Sequence, residues 1–452
     1  MGSGRGAAPF GLKRRRPISH MLPNVLFLTC HDLGKHLGCY GQQSVHSPAL
    51  DTLAQEGAIF DQSYCTAPQC SPSRAALHTG KHAHSVGVLG LAHAPFDWHL
   101  PPDQMHNARR LREAGYETTL IGMQHVTRDD VGSLYALGYD NIFPVEPAPN
   151  IAGSAKRFLE AHAHSKRPFY LEVGFFEPHR PYDWGESEPD SSMGVNLPAF
   201  VPHGPEAIAD FAALQGMIHT MDDAIGTILT ALEENGLAQD TLVLFVTDHG
   251  LAMPRAKCTL YDPGIGTSLI MRWPSQGVSG GIRYSELISH VDVLPTLLQA
   301  IGIPVPGNLH GRSFWPLLRG EPFEPNEEVF VEKTYHTAYE PMRGIRTSTH
   351  KLILNFEVGL SFDVPGDVCQ SPIYPLMIDQ LVKERKHVEL YDLVQDPGEI
   401  VNLSGRPEMT AVESDLIERL RRWMELTDDP LLRGPISSPF YEDSRRFLYA
   451  GN

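Results

Sequence analysis

Three apolar runs of strand length, each followed directly by polar residues, constrain the fold of this chain most strongly. The runs span residues 24–30, 169–176 and 241–247, and a helical pattern at 206–235 separates the second from the third. Strands that alternate with helices are typical of a parallel sheet with helices packed on its faces. Ligands of such proteins bind at the carboxyl ends of the strands. We therefore predict an α/β fold in which the polar residues after the three runs meet in one crevice.

The pattern changes near residue 326, which predicts a second, smaller domain. Short strand-like runs such as 328–331 follow this point, and a helical pattern occupies 410–427. The segment 320–325, rich in glycine and proline, is typical of a linker. We predict a leader or expression-derived segment at 1–20, a catalytic α/β domain at 21–325 and a smaller α+β domain at 326–452.

The composition indicates a soluble globular protein without nucleic-acid or membrane partners. Of 452 residues, 42% are hydrophobic and 20% are charged, and the formal net charge is -17. A net negative charge of this size disfavours binding to polyanions. No apolar run approaches the length of a membrane span, and residues 1–20 lack the apolar core of a signal peptide. We therefore expect a cytoplasmic protein, and its six cysteines, which show no metal-finger spacing, are expected to be mostly free thiols.

The segment 70–80, Cys-Ser-Pro-Ser-Arg-Ala-Ala-Leu-His-Thr-Gly, predicts a nucleophile at the start of a short helix. Ser71 is a natural N-cap, and Gly80 suits the left-handed conformation that ends many helices. The unpaired N–H groups of the first turn would attract an anion towards Cys70, and Arg74 would add a positive charge one turn later. The segment therefore predicts an anion site, with a buried structural cysteine as the alternative.

The same residues resemble the signature of the type I, formylglycine-dependent sulfatases of the alkaline phosphatase superfamily. The resemblance rests on Cys-x-Pro-Ser-Arg with Thr-Gly following, and further matches extend it over residues 23–403. It implies that a maturation enzyme converts Cys70 to formylglycine, whose hydrate carries two hydroxyls on one carbon. It also implies a mixed, largely parallel central sheet between helices, with a smaller C-terminal α+β domain. The implied reaction is hydrolysis of a small sulfate ester or sulfamate, with a carbohydrate or aryl leaving group.

The resemblance further implies one divalent metal ion. Its ligands would be His31, Asp32, Cys70, Asp248 and His249. The family normally has two aspartates at the first pair, so His31 stands where a carboxylate is expected. Calcium is the ion that the family implies, whereas the imidazole groups favour manganese or zinc over calcium or magnesium. The sequence therefore leaves the identity of the cation open.

Four residues outside the metal set match groups that handle protons or bind sulfate in the family. Arg74 belongs to the signature, His125 matches the histidine that releases sulfate, and His179 and Lys257 match groups beside the leaving oxygen. Met123 stands where the family has a lysine. Because this exchange removes a positive charge, we expect a preference for singly charged anions.

Two alternatives to a sulfatase remain open. A phosphonate monoester or phosphodiester hydrolase of the same superfamily shares the cysteine signature, and His249 and Met123 favour it. A catalytically silent anion-binding relative is the second, because His31 and Met123 depart from the family pattern.

Within the family, the segment 260–264 and Pro178-His179-Arg180 are most similar to the heparan N-sulfatase branch, among arylsulfatase-like relatives. Specificity is expected in the loops and in the smaller domain, where residues 333–346, including His336 and Arg343, would line the entrance of the pocket. The sequence leaves open whether the protein forms a homo-oligomer.

Overall fold

The computed structural model describes residues 22–359, 362–382 and 385–449, and these form two sheets with their helices. The predicted leader at 1–20 lies outside the described residues. Within the described ranges, none of the helices is both long and apolar enough to span a membrane. All six cysteines lie within these ranges, and each is a free thiol, as expected.

The large sheet has eight strands in the order β4-β3-β5-β1-β6-β7-β2-β8. The strands are β1 (Asn24–Cys30), β2 (Ala58–Tyr64), β3 (Glu117–Gly122), β4 (Asn141–Phe143), β5 (Phe169–Gly174), β6 (Thr241–Thr247), β7 (Leu269–Arg272) and β8 (Ile282–Ser289). Strand β7 runs antiparallel to both β2 and β6, whereas the other pairings are parallel. The sheet is therefore mixed and largely parallel, as predicted.

Helices cover both faces of the large sheet. The α-helices described in this part of the chain are α1 (Pro48–Glu56), α2 (Cys70–Thr79), α3 (Ala83–Val86), α4 (Asn107–Glu113), α5 (Val131–Ala136), α6 (Ala148–His162), α7 (Pro205–Glu234), α8 (Asp262–Ile265), α9 (Val293–Ala300) and α10 (Trp315–Leu318). Along β1, Leu26 and Leu28 pack into the core on one face, while Val25 and Phe27 pack into the core on the other. Because both faces are buried, the strand reads as a continuous apolar run.

The smaller sheet is antiparallel, in the order β12-β11-β10-β9. Its strands are β9 (Glu328–Tyr335), β10 (Tyr339–Thr347), β11 (His350–Asn355) and β12 (Val388–Asp392), and its helices are α11 (Gly366–Cys369), α12 (Tyr374–Leu381), α13 (Thr410–Leu426) and α14 (Pro439–Tyr449). Helix α13 packs Leu420 and Trp423 against Ile345 and Leu352 of the sheet. The two sheets confirm the predicted fold class, whereas the domain limits at 325 and 326 stay a prediction.

Two of the three predicted strands have the predicted bounds, and the third is two residues shorter. Strand β5 ends at Gly174 rather than at Phe176. At Gly174 the carbonyl oxygen of Met123 comes so close that a Cβ would meet it at 1.8 Å. Glycine therefore allows the loop after β3 to lie against the end of β5.

Helix α2 begins two residues earlier than the predicted N-cap implies. Cys70 is its first residue and Gln69 is the residue before it, so Ser71 lies inside the helix and the N-cap prediction was wrong. The Ser71 hydroxyl instead accepts a hydrogen bond from the Ala92 backbone N–H at 3.0 Å. Gly80 ends the helix with a φ of 68°, as predicted.

Arg343 does not line the entrance of a pocket, contrary to expectation. Its side chain is fully buried and donates two hydrogen bonds to the carboxylate of Asp429, which is also fully buried. The guanidinium group also donates to the Lys333 carbonyl at 2.9 Å. The ion pair joins β10 to the end of α13 and therefore has a structural role.

We predict that Asp429→Asn lowers the free energy of unfolding by about 3–5 kcal/mol, because the buried guanidinium loses its closest carboxylate and keeps only Glu332, 3.7 Å away, as a charged partner. The matched control is Asp428→Asn. Asp428 and its partner Arg433 are 84% and 62% exposed, and such pairs contribute about 0–1 kcal/mol. Urea denaturation measures both changes, and equal losses in the two variants would contradict the structural role of the buried pair.

Candidate active site

The carboxyl ends of β1 and β6 and the first turn of α2 meet at one point. Strands β1 and β6 are in register, with Cys30 opposite Thr247. The residues that follow these two strands, including Asp32 and Asp248, therefore lie side by side. The Sγ of Cys70, at the start of α2, is 3.4 Å from the Nε2 of His249. The predicted convergence is confirmed for these two strand ends, and His179, which follows β5, joins them with its Nε2 3.6 Å from Asp32 Oδ2.

The five predicted metal ligands form one buried cluster. Their possible ligand atoms fall into overlapping sets in which all atoms lie within 4.8 Å of one another; these sets include His31, Asp32 and Asp248, and Asp32, Cys70 and His249. All five side chains are buried. Two carboxylates, two imidazoles and a sulfur thus lie in overlapping groups of three.

Several of these atoms are close together without being hydrogen-bonded. Asp32 Oδ1 lies 3.2 Å from His249 Nε2, and His31 Nδ1 lies 3.1 Å from Asp248 Oδ2. Neither Asp32 Oδ1 nor His31 Nδ1 has a hydrogen-bond partner of acceptable geometry, although both atoms are buried. Unpartnered buried polar atoms are rare in folded proteins. Lone pairs that face a common point fit a divalent cation, so the residues present are suitable for one.

A hydrogen bond to the backbone of the next residue orients the ring of His249. Its Nδ1 donates to the Gly250 carbonyl at 3.0 Å. The proton of the neutral imidazole therefore sits on Nδ1, and the lone pair of Nε2 faces Asp32 and Cys70. A hydrogen bond from the distal nitrogen commonly fixes a metal-binding histidine in this way.

Two predicted site residues adopt left-handed backbone conformations. Asp32 has a φ of 52° and His125 has a φ of 60°. Such conformations cost about 1–3 kcal/mol for residues other than glycine and concentrate at functional sites. The Asp32 backbone N–H donates to Asp248 Oδ1 at 3.0 Å, which helps to hold it in place.

Arg74 contacts the cluster from the side of β1. Its Nε donates to Asp248 Oδ2 at 3.2 Å, and its two terminal nitrogens donate to the Thr29 hydroxyl and the Cys30 carbonyl. The side chain is fully buried. Although burial raises the pKa of Asp248, His249, His31 and Arg74 together hold it well below its ordinary value. This geometry makes Arg74 a positioning residue for Asp248.

A second charged group lies beside the cluster. Lys257 Nζ is 2.9 Å from Asp32 Oδ2, 2.8 Å from Asp367 Oδ2 and 3.4 Å from His179 Nε2. Burial lowers the pKa of Lys257, but Asp32 and Asp367 more than offset this, so its pKa lies well above the ordinary value. His179 donates from Nδ1 to the Arg180 carbonyl, so the lone pair of its Nε2 faces Lys257. The structure thus brings His179 and Lys257 together, as the sequence predicts.

His125 lies on another side of Cys70. Its ligand atoms belong to a set with His31 and Cys70 in which all atoms are within 4.8 Å. Its Nε2 is 2.9 Å from His93 Nδ1, while its own Nδ1 is buried and unpartnered. Burial and the neighbouring His31 lower the pKa of His125 well below its ordinary value. His125 is therefore a neutral imidazole held in place by His93.

Burial also raises the pKa of the Cys70 thiol well above its ordinary value, although Lys257 opposes the effect. A protonated thiol is a weak nucleophile. The environment of residue 70 therefore does not favour attack by cysteine itself.

The two departures from the family pattern contact each other. His31 Nε2 lies 3.1 Å from Met123 Sδ. Burial and Arg74 lower the pKa of His31 to about 4, so the ring is neutral near pH 7. Relative to the family pattern, the pair thus exchanges one negative and one positive charge for two neutral side chains. The expected loss of positive charge at Met123 is offset by the loss of a carboxylate at His31.

Sequence reasoning missed two residues of the site, Asp367 and His93. Asp367 lies in α11, in a segment without a recognised motif, and His93 lies in the loop before α4. Both reach the site only through contacts between parts of the chain that are far apart in sequence. Neither residue lies in a sequence motif that would mark it as part of the site; each is only a residue type that can carry or accept a proton.

Comparisons with known proteins identify the family of this chain. The family model described as Sulfatase matches residues 23–303, and the model described as N-sulphoglucosamine sulphohydrolase, C-terminal, matches residues 249–364. The N-sulphoglucosamine sulphohydrolase of Homo sapiens is 29% identical over 480 residues, covering 94% of this chain and 93% of the human protein. An ulvan-active sulfatase of Formosa agariphila is 28% identical, with coverages of 92% and 83%.

A solved structure supports the fold. The sulfatase-like yidJ protein of Bacteroides fragilis has a TM-score of 0.75 at 20% sequence identity, and the match covers 94% of this chain and all of that one. Since the Sulfatase model matches more than half of the chain, the chain belongs to the sulfatase family and is an enzyme of that family. The similarity to the heparan N-sulfatase branch is supported by the second family model.

We predict that Arg74→Lys weakens binding of a divalent cation by about 10- to 100-fold, because the single ammonium nitrogen of a lysine cannot span the three acceptors that the three guanidinium nitrogens bind at Asp248 and the end of β1. Calorimetric titration of metal-free protein with Mn²⁺ measures the change. Arg421→Lys serves as the control, since Arg421 is 50% exposed on the surface of α13. Equal affinity in the wild type and in Arg74→Lys would contradict the positioning role.

Proposed function

We propose that this chain hydrolyses a sulfate ester or a sulfamate, with a formylglycine derived from Cys70 and one bound divalent cation. The observation that carries the proposal is the position of Cys70. Its side chain is buried at the start of α2, among the carboxylates and imidazoles that follow β1 and β6. The side chain at position 70 therefore lies next to both the proposed metal ligands and the N-terminus of a helix, which attracts anions.

The cation would be held by His31, Asp32, Asp248 and His249 together with residue 70. When bound, it would neutralise charge on the sulfate and lower the pKa of an attacking hydroxyl. Calcium is the ion that family membership suggests. The two imidazoles favour a softer ion such as Mn²⁺ or Zn²⁺ over Mg²⁺ or Ca²⁺.

The remaining site residues divide between the nucleophile and the leaving group. His125 belongs to the set with Cys70 and its Nδ1 has no hydrogen-bond partner, so this nitrogen is the one available to take a proton from a hydroxyl at residue 70. His93 supports the opposite nitrogen of this ring. Lys257 and His179 lie together beside Asp32, where Lys257 can donate a hydrogen bond and a proton to the departing atom while His179 Nε2 accepts from Lys257.

The substrate we propose is a sulfated or sulfamated carbohydrate, with aryl analogues as convenient probes. Two relatives that span most of the chain support this class. By their names, one acts on N-sulphoglucosamine and the other is active on ulvan. A formylglycine-generating maturation enzyme is the one partner that the proposed nucleophile requires.

A phosphodiester or phosphonate monoester hydrolase is the second candidate. The residue that favours it is His249, which lies beside Cys70 at a position where the family pattern allows either histidine or asparagine. Specificity constants for matched aryl sulfate and aryl phosphodiester substrates separate the two activities. A much larger kcat/KM for the diester would favour this candidate over the sulfatase.

Peptide mass spectrometry tests the proposed nucleophile. After co-expression with a maturation enzyme, the peptide that carries residue 70 is expected to show replacement of sulfur by oxygen and loss of two hydrogens. Activity on an aryl sulfate or sulfamate should rise in proportion to the converted fraction. Full activity of protein with unmodified cysteine would contradict the proposal.

We also predict that His125→Gln lowers kcat of the converted enzyme by about 10²- to 10⁴-fold, as expected on removal of a general base. The comparison is kcat on an aryl sulfate for the wild type, for this variant and for His164→Gln. His164 is exposed and lies outside the site, so its exchange should have little effect. A kcat for His125→Gln equal to that of the control would exclude His125 as the base.

A further inference from the structure

Asp367 is a third carboxylate in the site, and neither the proposed cation nor the sulfate accounts for it. Its Oδ2 is 2.8 Å from Lys257 Nζ and 3.8 Å from His179 Nε2. Lys257 and Asp32 are 1% and 0% exposed, whereas Asp367 is 16% exposed, so it lies on the solvent side of them. A negative charge here opposes the entry of an anionic substrate, and another interaction is needed to compensate.

The contacts of Asp367 make it a hydrogen-bond acceptor. Burial raises its pKa, but Lys257 and His179 outweigh this effect, and the pKa lies below its ordinary value. An ionised carboxylate can accept hydrogen bonds but cannot donate them. One of its oxygens binds Lys257, and the carboxylate has further lone pairs to offer.

The two candidate substrate types differ in whether the bridging atom, which links sulfur to the leaving group, can donate a hydrogen bond. The bridging nitrogen of a sulfamate carries a hydrogen, whereas the bridging oxygen of a sulfate ester carries only lone pairs. A carboxylate beside this atom would therefore attract the first and repel the second. Specificity can arise from such a repulsive contact as well as from an attractive one.

We propose that Asp367 accepts a hydrogen bond from the N–H of a sulfamate and thereby favours cleavage of S–N over S–O bonds. This inference rests on the proposed function, because that function places the leaving group beside His179 and Lys257. As sulfur bonds to the oxygen nucleophile at residue 70, the S–N bond breaks and nitrogen keeps its electron pair. The nitrogen takes one proton from the His179–Lys257 pair and leaves as a primary amine, while Asp367 holds the original N–H.

The size of the effect follows from the energy of a hydrogen bond to a charged group, about 1.5–3 kcal/mol. This corresponds to a change of about 10- to 100-fold in relative kcat/KM. Sites that hydrogen-bond a substrate N–H discriminate strongly against analogues that lack it, because their polar groups are then left unpaired.

The test uses formylglycine-containing protein and three substrates with one aryl group: N-(4-nitrophenyl)sulfamate, in which nitrogen bridges the ring and sulfur, its N-methyl derivative, and 4-nitrophenyl sulfate. Asp367→Asn keeps an oxygen that can accept from Lys257 but removes the charge. Asp379→Asn, an exposed position on α12, is the matched control. We expect Asp367→Asn to lower the ratio of kcat/KM for the N–H sulfamate to that for the sulfate by about 10- to 100-fold. The ratio for the N-methyl sulfamate and the ratios of the control should stay constant.

The outcomes separate this inference from the proposed function. Equal losses on all three substrates would mean that Asp367 only positions Lys257, and would overturn the inference while the enzyme remains a sulfatase. An unchanged ratio, or a wild type that cleaves the sulfate but not the N–H sulfamate, would overturn it as well. A fully converted wild type that hydrolyses none of the three would contradict the proposed function itself.

Discussion

The in-register pairing of β1 with β6 is the contact on which the site depends. The two strands lie more than 200 positions apart in sequence, yet Cys30 lies opposite Thr247, so the acidic residues that follow them become neighbours. A shift of one residue would turn alternate side chains to the opposite face of the sheet and separate the carboxylates. Both faces are buried by helices, which fixes this register through the apolar cores. The fold thus specifies the site before any ligand binds.

Burying several charged groups at this point costs free energy, and two cationic side chains offset that cost. Arg74 donates to Asp248 from beneath, and Lys257 binds Asp32 from the side. Buried ions need such partners, because removing them from water costs several kcal/mol each. The compensation is incomplete, since Asp32 Oδ1 and His31 Nδ1 have no hydrogen bond. A cation would satisfy these atoms, which links the residual electrostatic imbalance directly to the proposed chemistry.

The sequence is informative where local rules apply. Strands β1 and β6 have the predicted bounds, and Gly80 ends α2 as expected, because buried parallel strands and helix ends leave local patterns. It is uninformative where contacts join distant segments. Asp367 reaches Lys257 across 110 positions, and Arg343 pairs with Asp429 across 86, without any motif. Predictions based on single positions also overlook paired changes.

The contact between His31 and Met123 illustrates that last limit, because each exchange looks like a defect alone while the two together preserve the net charge. One cation is expected to bind where β1, β6 and α2 meet, and anomalous diffraction from crystals of converted protein soaked in Mn²⁺ locates it. We predict a single strong peak within bonding distance of Asp32, Asp248, His249 and an oxygen of residue 70. A peak elsewhere, or saturated crystals in which Asp32 and His249 bond only to each other, would contradict the account.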